Sequence, residues 1–140
     1  MLNTILIDSG PLIALFDRDD YYHNSILEFI SKRKFRFVTT IAVLTEVTHM
    51  LDFSVDAQLL FFNWILNEGA IIHNIDQSDI VRVIELTKKY SDRPMDFADA
   101  TLVITAERTG INKIISIDSD FDIYRLAGKA MIENVYQKSG

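Results

Sequence analysis

The sequence predicts an α/β protein in which helices cover both faces of a central, mainly parallel sheet of four to five strands, a three-layer α/β/α architecture. Short apolar runs alternate with longer segments of helical periodicity along all 140 residues. Such runs are typical of strands that are buried on both faces, and strands that alternate with helices are joined by crossovers and run parallel. No repeat, linker or low-complexity stretch divides the chain, so we expect one domain over residues 1–140.

The first strand is predicted where an apolar run ends in the turn-forming residues Asp8-Ser9-Gly10-Pro11. The other strands are predicted from similar short runs that are bounded by polar residues. The predicted strands are residues 2–7, 35–39, 70–75, 113–117 and 131–136.

The helices are predicted from apolar residues that recur with the helical period. Pro11 suits a first helical turn, where its missing N–H has no partner to lose, and Gly110 is a common helix terminator. The fourth helix carries Phe61, Phe62 and Trp64, which we expect in the core or at a dimer surface. The predicted helices are residues 11–16, 22–32, 41–53, 55–67, 78–90 and 97–109.

The composition excludes several classes of protein. The absence of cysteine excludes disulfides, thiolate metal sites and a cysteine nucleophile, and it fits a cytoplasmic protein. No apolar run approaches the roughly 18 residues of a membrane span, and the first residues do not resemble a signal peptide. We therefore expect a cytoplasmic location and no membrane partner. The net charge of −6 means that binding to nucleic acid must rely on local basic clusters or on cations.

Two aspartates directly follow predicted strands. Asp8 comes after the first strand, and Asp118 comes after the fourth. The carboxyl ends of parallel strands meet at one edge of the sheet, and ligands bind beyond that edge. Each aspartate alone is equally well explained as a helix cap or a turn residue. Their coincidence at one edge favours a shared acidic site.

Asp96 and Asp99 stand three residues apart at the start of the last predicted helix. This spacing fits a helix cap, and we interpret Asp96 chiefly as the cap residue. Asp99 lies between Ala98 and Ala100, whose small side chains indicate close packing around that turn. An acid that is packed in this way needs a partner or a cation to compensate its charge.

Glu46 lies at the boundary between the polar and apolar faces of the helix predicted at residues 41–53. Taken alone, it is most simply a solvated glutamate, or one that pairs with His49 or His23. Its significance depends on the other acids.

Four segments together carry a resemblance to a known family. In their order and spacing they resemble PIN-domain proteins, and especially the VapC-like ribonuclease toxins of bacterial and archaeal type II toxin–antitoxin pairs. The resemblance spans residues 2 to about 136. The segments are ILIDSGPLIALF, TTIAVLTEV, MDFADATLVITAE and IISIDSDFDIYR.

The resemblance implies a single PIN domain with four catalytic acids. The family's acid after the first strand falls on Asp8, and its helical glutamate falls on Glu46. The acid of its Asp-Ala pair falls on Asp99, and the acid after the next strand falls on Asp118. These four residues are the predicted catalytic and metal-binding set.

Further residues are expected to support this set. The family's threonine after the second strand falls on Thr39 or Thr40, and Ser116 stands where relatives often have threonine. Asp96 and Asp120 are close enough in sequence to be additional ligands or supporting groups.

The implied cofactor is Mg²⁺ or Mn²⁺, because these hard cations prefer carboxylate oxygens. We expect Asp8 and Asp99 as the main ligands, with Asp118 and Glu46 binding a second ion or orienting water. Packed carboxylates repel one another, so without metal at least one of them should have a raised pKa.

The implied activity is endonucleolytic cleavage of RNA. The resemblance also implies a homodimer and, for a toxin, a cognate antitoxin that covers the acidic pocket. The helices at residues 41–53 and 55–67 offer apolar surface for either contact. The basic residues that can hold the RNA backbone are Lys32, Arg33, Lys34, Arg36, Arg93, Arg108 and Arg125.

Three alternatives stay open. A housekeeping RNA-processing nuclease with the same fold would have no antitoxin. A catalytically silent PIN-like module would only bind a partner, although the intact set of four acids argues against it. A receiver-like Mg²⁺-binding domain would carry paired acids after its first strand, where this chain has Asp8 alone.

Overall fold

A central parallel sheet organises the computed structural model, which describes residues 3–93 and 95–136. In these residues the sheet has five strands in the order β3-β2-β1-β4-β5, and each neighbouring pair is parallel. The predicted parallel α/β architecture is therefore confirmed. The strands are β1 (Asn3–Ile7), β2 (Phe35–Thr39), β3 (Ala70–Ile72), β4 (Lys113–Ile115) and β5 (Glu133–Asn134).

Helices flank the sheet on both sides. The helix α1 contacts α2, α3 and α4, whereas α5 contacts α6. The chain runs from β1 to β3 in one direction and then returns past β1 to β4, so right-handed crossovers place these two groups on opposite faces. The helices are α1 (Ser9–Phe16), α2 (His23–Ser31), α3 (Ile41–Met50), α4 (Val55–Leu66), α5 (Ile80–Lys89) and α6 (Phe97–Thr109).

The strand order reverses at β1, which lies between β2 and β4. In open α/β sheets, the crevice beyond the carboxyl ends of the strands at such a reversal is the usual ligand site. The residues that leave β1 and β4 at this edge begin with Asp8 and Ser116, and the Asp8 N–H donates to the Ile115 carbonyl at 3.1 Å. The topology thus brings the two predicted strand-end segments together.

The last helix, α6, is buried on all sides over nine consecutive residues, 98–106. A helix that is apolar or small all round is typical of a central position in the core. Small residues such as Ala98 and Ala100 let neighbouring elements approach its backbone closely. The close packing predicted around Asp99 is therefore confirmed.

Several element boundaries differ from the predictions at their ends. The first helix begins at Ser9 because Asp8 caps it, two residues before Pro11. The third helix ends at Met50, three residues before its predicted end, and Met50 faces solvent with 55% of its surface exposed. The third, fourth and fifth strands are shorter than predicted, because only the residues that pair with a neighbouring strand count as sheet.

Some predictions extend beyond the described residues. Leu2 of the first predicted strand and residues 137–140 of the expected domain lie outside them. Within the described part of the chain, we find no helix whose length and apolar character would let it cross a lipid bilayer.

The aromatic cluster of α4 packs largely inward. Phe61 is fully buried, and its ring contacts those of Phe16 and Trp64. Phe62 is half-exposed, so the predicted core role holds for only part of the cluster. The ring of Trp64 also covers Gly69, whose N–H donates to the Trp64 carbonyl at 2.8 Å. A Cβ at Gly69 would overlap the indole, so this position requires glycine.

We expect Gly69→Ala to lower the free energy of unfolding by about 1–3 kcal/mol, because the added methyl overpacks against Trp64. Gly10→Ala is the matched control. Gly10 lies in α1, and a Cβ there would meet the Ile117 side chain at an ordinary contact distance of 3.5 Å. The control should change stability by less than about 1 kcal/mol. Urea denaturation followed by circular dichroism measures both, and equal effects would contradict the steric argument.

Candidate active site

Asp8 is buried at the carboxyl end of β1, with 3% of its surface exposed. Its side chain caps α1 by accepting a hydrogen bond from the Ser9 N–H at 2.8 Å. The Ser116 hydroxyl donates to the other carboxylate oxygen at 3.0 Å. Asp8 therefore caps a helix and also places a carboxylate at the carboxyl edge of the sheet.

Asp99 is the second buried acid, with 6% of its surface exposed in the first turn of α6. Its own N–H donates to the Asp96 side chain at 2.8 Å, so Asp96 is the helix cap, as predicted. The Tyr124 hydroxyl donates to Asp99 Oδ2 at 2.9 Å. The carboxylate is thus held in one orientation from inside the protein.

Both buried acids have raised pKa values. Burial, together with the charges of Asp118 and Glu46, raises the pKa of Asp8 to about 7 against the hydrogen bonds from Ser9 and Ser116. Burial also raises the pKa of Asp99 to about 8, with the charge of Asp8 as the next cause. The raised pKa expected for packed carboxylates therefore applies to both residues.

Glu46 and Asp118 lie at the more open side of this pair. Burial and the charges of Asp96 and Asp118 raise the pKa of Glu46, and a hydrogen bond from the Ser9 side chain partly offsets the increase. Asp118 is exposed, and its carboxylate accepts a hydrogen bond from the Asp120 N–H at 3.0 Å. Asp118 and Glu46 raise the pKa of Asp8, and Asp8 and Asp118 raise that of Asp99, so the structure brings the four predicted acids into one electrostatic cluster.

The predicted supporting residues divide by what they contact. Ser116 binds Asp8 directly, whereas Thr39 donates to the Ile7 carbonyl at 3.0 Å and so fastens β2 to β1. Thr40 caps α3, and its hydroxyl shares a 2.8 Å hydrogen bond with the hydroxyl of Thr101 on α6. These threonines therefore hold the elements that carry the acids.

The sequence did not predict that Tyr124 and Ser9 contact the acids. The hydroxyl of Tyr124 is buried against Asp99, and burial followed by that hydrogen bond raises the pKa of Tyr124 above its ordinary value. Asp120 lies near enough for its charge to contribute to the same shift. No local pattern marks a tyrosine 25 residues after its partner, so only the tertiary structure identifies it.

The basic residues divide between the two edges of the sheet. The cluster at residues 32–36 precedes or begins β2, so it lies at the amino edge, opposite the acids. Arg108 pairs with Asp79 at 2.8 Å and with Asp76 at 3.5 Å. Arg93 and Arg125 belong to segments at the acidic edge.

Tyr90 ties those two segments together. The Arg125 N–H donates to the Tyr90 hydroxyl at 2.8 Å, and the Arg93 N–H donates to the Tyr90 carbonyl at 3.1 Å. The Tyr90 ring also packs edge-on against Tyr124. The backbone of both arginines is therefore anchored to the same aromatic pair that reaches Asp99.

The donor set fits a hard divalent cation, although residues 3–93 and 95–136 contain no three acidic or histidine side chains already drawn together as a metal cage. The hydrogen bonds to the carboxylates of Asp8 and Asp99 come from uncharged donors, so neither negative charge is neutralised by them. Oxygen ligands of this kind suit Mg²⁺ or Mn²⁺. A cation between them would relieve the repulsion that raises both pKa values.

Comparison with known proteins gives a consistent family. A model described as PIN domain matches residues 5–128. The chain is also similar to Ribonuclease VapC26 of Mycobacterium tuberculosis strain H37Rv, with 25% identity over 116 residues that cover 81% of this chain and 86% of that protein.

Two solved structures share the fold. The crystal structure of Mycobacterium tuberculosis VapC20, a sarcin-ricin loop cleaving toxin, matches with a TM-score of 0.76 at 19% identity, over 85% of this chain and 93% of that chain. VapBC2 from Rickettsia felis, bound to a DNA fragment from their promoter, matches with a TM-score of 0.63 at 12% identity, over 94% of this chain and 98% of that chain. At these identities the likeness establishes the architecture.

We expect the stability of the metal-free protein to depend on the protonation of Asp99. The pKa of Asp99 is raised on folding, so its contribution is fully present below about pH 4 and is lost as the pH rises through about 8. Asp99→Asn keeps an acceptor for Tyr124 and carries no charge. Above pH 8 it should therefore be more stable than the wild type, by on the order of 2 kcal/mol.

Denaturant unfolding in the presence of a chelator, at pH values from 5 to 9, measures this difference. The exposed residue Asp52 provides the control, because Asp52→Asn removes one negative charge outside the cluster. The explanation fails if the stability difference between Asp99→Asn and the wild type stays constant over this pH range.

Proposed function

Because the chain belongs to the PIN-domain family, we propose that it is a metal-dependent endoribonuclease that cleaves phosphodiester bonds of RNA, and that it is the toxin of a toxin–antitoxin pair. The observation that carries this proposal is the pair of buried aspartates, Asp8 and Asp99, whose pKa values are raised by burial and by the charges of neighbouring acids. The relatives support it, since one is named a ribonuclease and another a toxin that cleaves the sarcin-ricin loop.

In this proposal Asp8 and Asp99 are the principal ligands of Mg²⁺ or Mn²⁺. A bound divalent cation polarises the phosphodiester, lowers the pKa of an attacking water and stabilises the leaving oxygen. Ser116 and Tyr124 orient the two carboxylates by donating hydrogen bonds to them. The protein thereby holds its ligands in place before the substrate arrives, which is where a preorganised site gains its rate.

Glu46 and Asp118 have the more open positions in the cluster. Glu46 has a raised pKa and lies partly exposed beside Ser9. We therefore assign it the role of general base, which accepts a proton from the attacking water. Asp118 holds a second ion or a water molecule from the solvent side. Asp96 and Asp120 act indirectly, because Asp96 caps the helix that carries Asp99 and Asp120 donates its N–H to Asp118.

We propose that Arg93 and Arg125 contact the phosphates that flank the scissile bond. Both are anchored through Tyr90, which packs against the tyrosine that binds Asp99. An overall charge of −6 limits binding to a short stretch of single-stranded RNA, because broad contact with phosphates needs a broad basic face. The cluster at residues 32–36 lies at the far edge of the sheet and is assigned no role in cleavage.

We propose a homodimer that forms through α4. Four apolar residues recur on one side of this helix at intervals of four, three and four, and all are exposed. Such a stripe indicates a surface that another protein covers. An antitoxin would cover the acidic pocket, and the matched VapBC2 structure shares this fold and is bound to a DNA fragment from its promoter. The stripe consists of Val55, Leu59, Phe62 and Leu66.

We propose that residues 1–140 form one domain. We also propose that it acts on RNA in the cytoplasm. A housekeeping nuclease would share the chemistry but would have no antitoxin. The silent binding module would have neither metal affinity nor cleavage.

We expect purified protein to cleave labelled single-stranded RNA with Mg²⁺ or Mn²⁺ and to lose this activity with a chelator. Asp99→Asn should reduce the cleavage rate by at least about 100-fold, because it removes a ligand of the cation. Asp96→Asn is the matched control, since asparagine caps a helix as well as aspartate does, and it should stay within about 10-fold of wild type.

Cleavage that survives the chelator would contradict the metal-dependent mechanism. An equal loss in both folded variants would move Asp96 into the metal-binding set. If the protein neither cleaves RNA nor binds metal in calorimetry, it is the catalytically silent module that binds a partner.

We expect the wild-type protein to be a dimer by light scattering at micromolar concentration. Leu59→Glu should convert it to a monomer, because a buried charge at the centre of the stripe has no partner. Val81→Glu, at an exposed apolar position of α5, is the control and should leave the mass unchanged. A monomeric wild-type protein would count against the proposed interface.

A further inference from the structure

A cavity of about 500 Å³ opens beside the acidic cluster. Its walls come from the start of α3, the residues that follow β3 and the start of α6. Glu46 belongs to the acidic cluster and lines the cavity, and Asp96, whose charge raises the pKa of Glu46, lines it as well. A ligand whose phosphate lies at the acids would therefore place the group next to that phosphate at the mouth of this cavity.

The cavity has apolar walls that the fold does not cover. Ile41 and Phe97 both line it, with 52% and 51% of their surfaces exposed. Flat contact surfaces of this kind are what unstacked nucleobases use in proteins that recognise single-stranded RNA. The cavity has the volume of a small-molecule site, not of a groove for a helix.

Buried hydrogen bonds fix the positions of the cavity walls relative to each other. The hydroxyls of Thr40 and Thr101 share a 2.8 Å bond that fastens the start of α3 to α6. Thr101 also donates to the Ala98 carbonyl at 2.6 Å, and both residues belong to the lining. The cavity is therefore a fixed feature of the packing between these helices.

The charge of the lining selects the kind of group that can enter. Its described residues include two carboxylates and no lysine or arginine. A phosphate would be repelled here, since like charges at short range are unfavourable. An uncharged ring that carries N–H donors is favoured, because carboxylates and the Asn74 side chain can accept its hydrogen bonds.

We propose that this cavity holds the nucleobase next to the scissile phosphodiester, and that it favours a base with an exocyclic amino group, as in adenine, cytosine and guanine, over uracil. The inference rests on the proposed function, because the acids locate the phosphate of the same strand. The cavity is thus the specificity-determining subsite of the nuclease. His73 and Asn74 close its edge and read the base.

A binding experiment tests the cavity without catalysis. Adenosine, cytidine and uridine are titrated into isotope-labelled protein in the presence of a chelator, and backbone amide shifts are followed by NMR. We expect adenosine and cytidine to shift amides at residues 40–46, 73–75 and 97–101, with uridine about ten-fold weaker. Thr45→Phe, which fills the cavity from an exposed position, should abolish the shifts.

Thr87→Phe is the matched control for the filling variant. Thr45 and Thr87 are both exposed, and each hydroxyl donates to the carbonyl four residues earlier on its own helix. Phe97→Ala removes a wall, with the exposed Phe53→Ala as its control. All four variants are checked for unchanged circular dichroism.

A cleavage experiment then tests the role of the cavity in specificity. A pool of RNAs with random sequence is cleaved with Mg²⁺ or Mn²⁺, and the bases around each cut are sequenced. Wild-type protein should prefer a base with an exocyclic amino group over uracil at one position beside the cut. Thr45→Phe and Phe97→Ala should flatten that preference by about ten-fold, whereas the two controls retain it.

The two experiments separate the failure of the cavity from the failure of the nuclease. Nucleoside binding at the named amides without cleavage of any RNA supports the base site and overturns the proposed function. Cleavage without nucleoside binding, or equal binding of uridine, overturns the cavity proposal alone. Shifts produced by acetyl-arginyl-leucine amide but by no nucleoside also overturn it and assign the cavity to a basic peptide.

Discussion

The structure depends on keeping two like-charged carboxylates close together in a buried place. Asp8 and Asp99 are far apart in the sequence, and the charge of Asp8 raises the cost of ionising Asp99. The fold compensates this cost only in part, with the Ser9 N–H and the hydroxyls of Ser116 and Tyr124. The unpaired charge that remains is what a cation would neutralise, so the same feature that strains the metal-free protein prepares it to bind metal.

The surrounding elements are arranged to make this burial possible. The helix α6 is buried through residues 98–106, and its threonines satisfy their hydroxyls on backbone carbonyls of the same helix. Small and self-satisfied side chains let α6 lie deep in the protein without leaving buried polar groups unpaired. Because Asp99 stands in its first turn, the burial of the helix carries the acid into the site.

Much of this arrangement follows from local patterns in the sequence. Alternating apolar runs and helical periods predict the strands and helices, and a parallel sheet then gathers Asp8 and Asp118 at one edge. The burial of Asp99 was predictable from its alanine neighbours. The outer ends of strands were not, because pairing with a neighbour decides where a strand stops.

Contacts between distant residues were also beyond the sequence. Tyr124 reaches Asp99 only after the segment that follows β4 has folded back on α6, and no periodic pattern marks it. The amino-edge position of residues 32–36 depends on the direction of β2, so charge alone wrongly grouped them with Arg93 and Arg125. The catalytic roles of the four acids and the extent of the domain remain predictions.

The bond between Ser116 and Asp8 joins residues that are 108 positions apart. The central strand β1 is made before residues 8–112, whereas its neighbour β4 follows them. Domains fold as units, and contacts of such long range form late. A nascent chain therefore carries Asp8 without the strand that completes its surroundings. The acidic centre is therefore unfinished until Ser116 has left the ribosome.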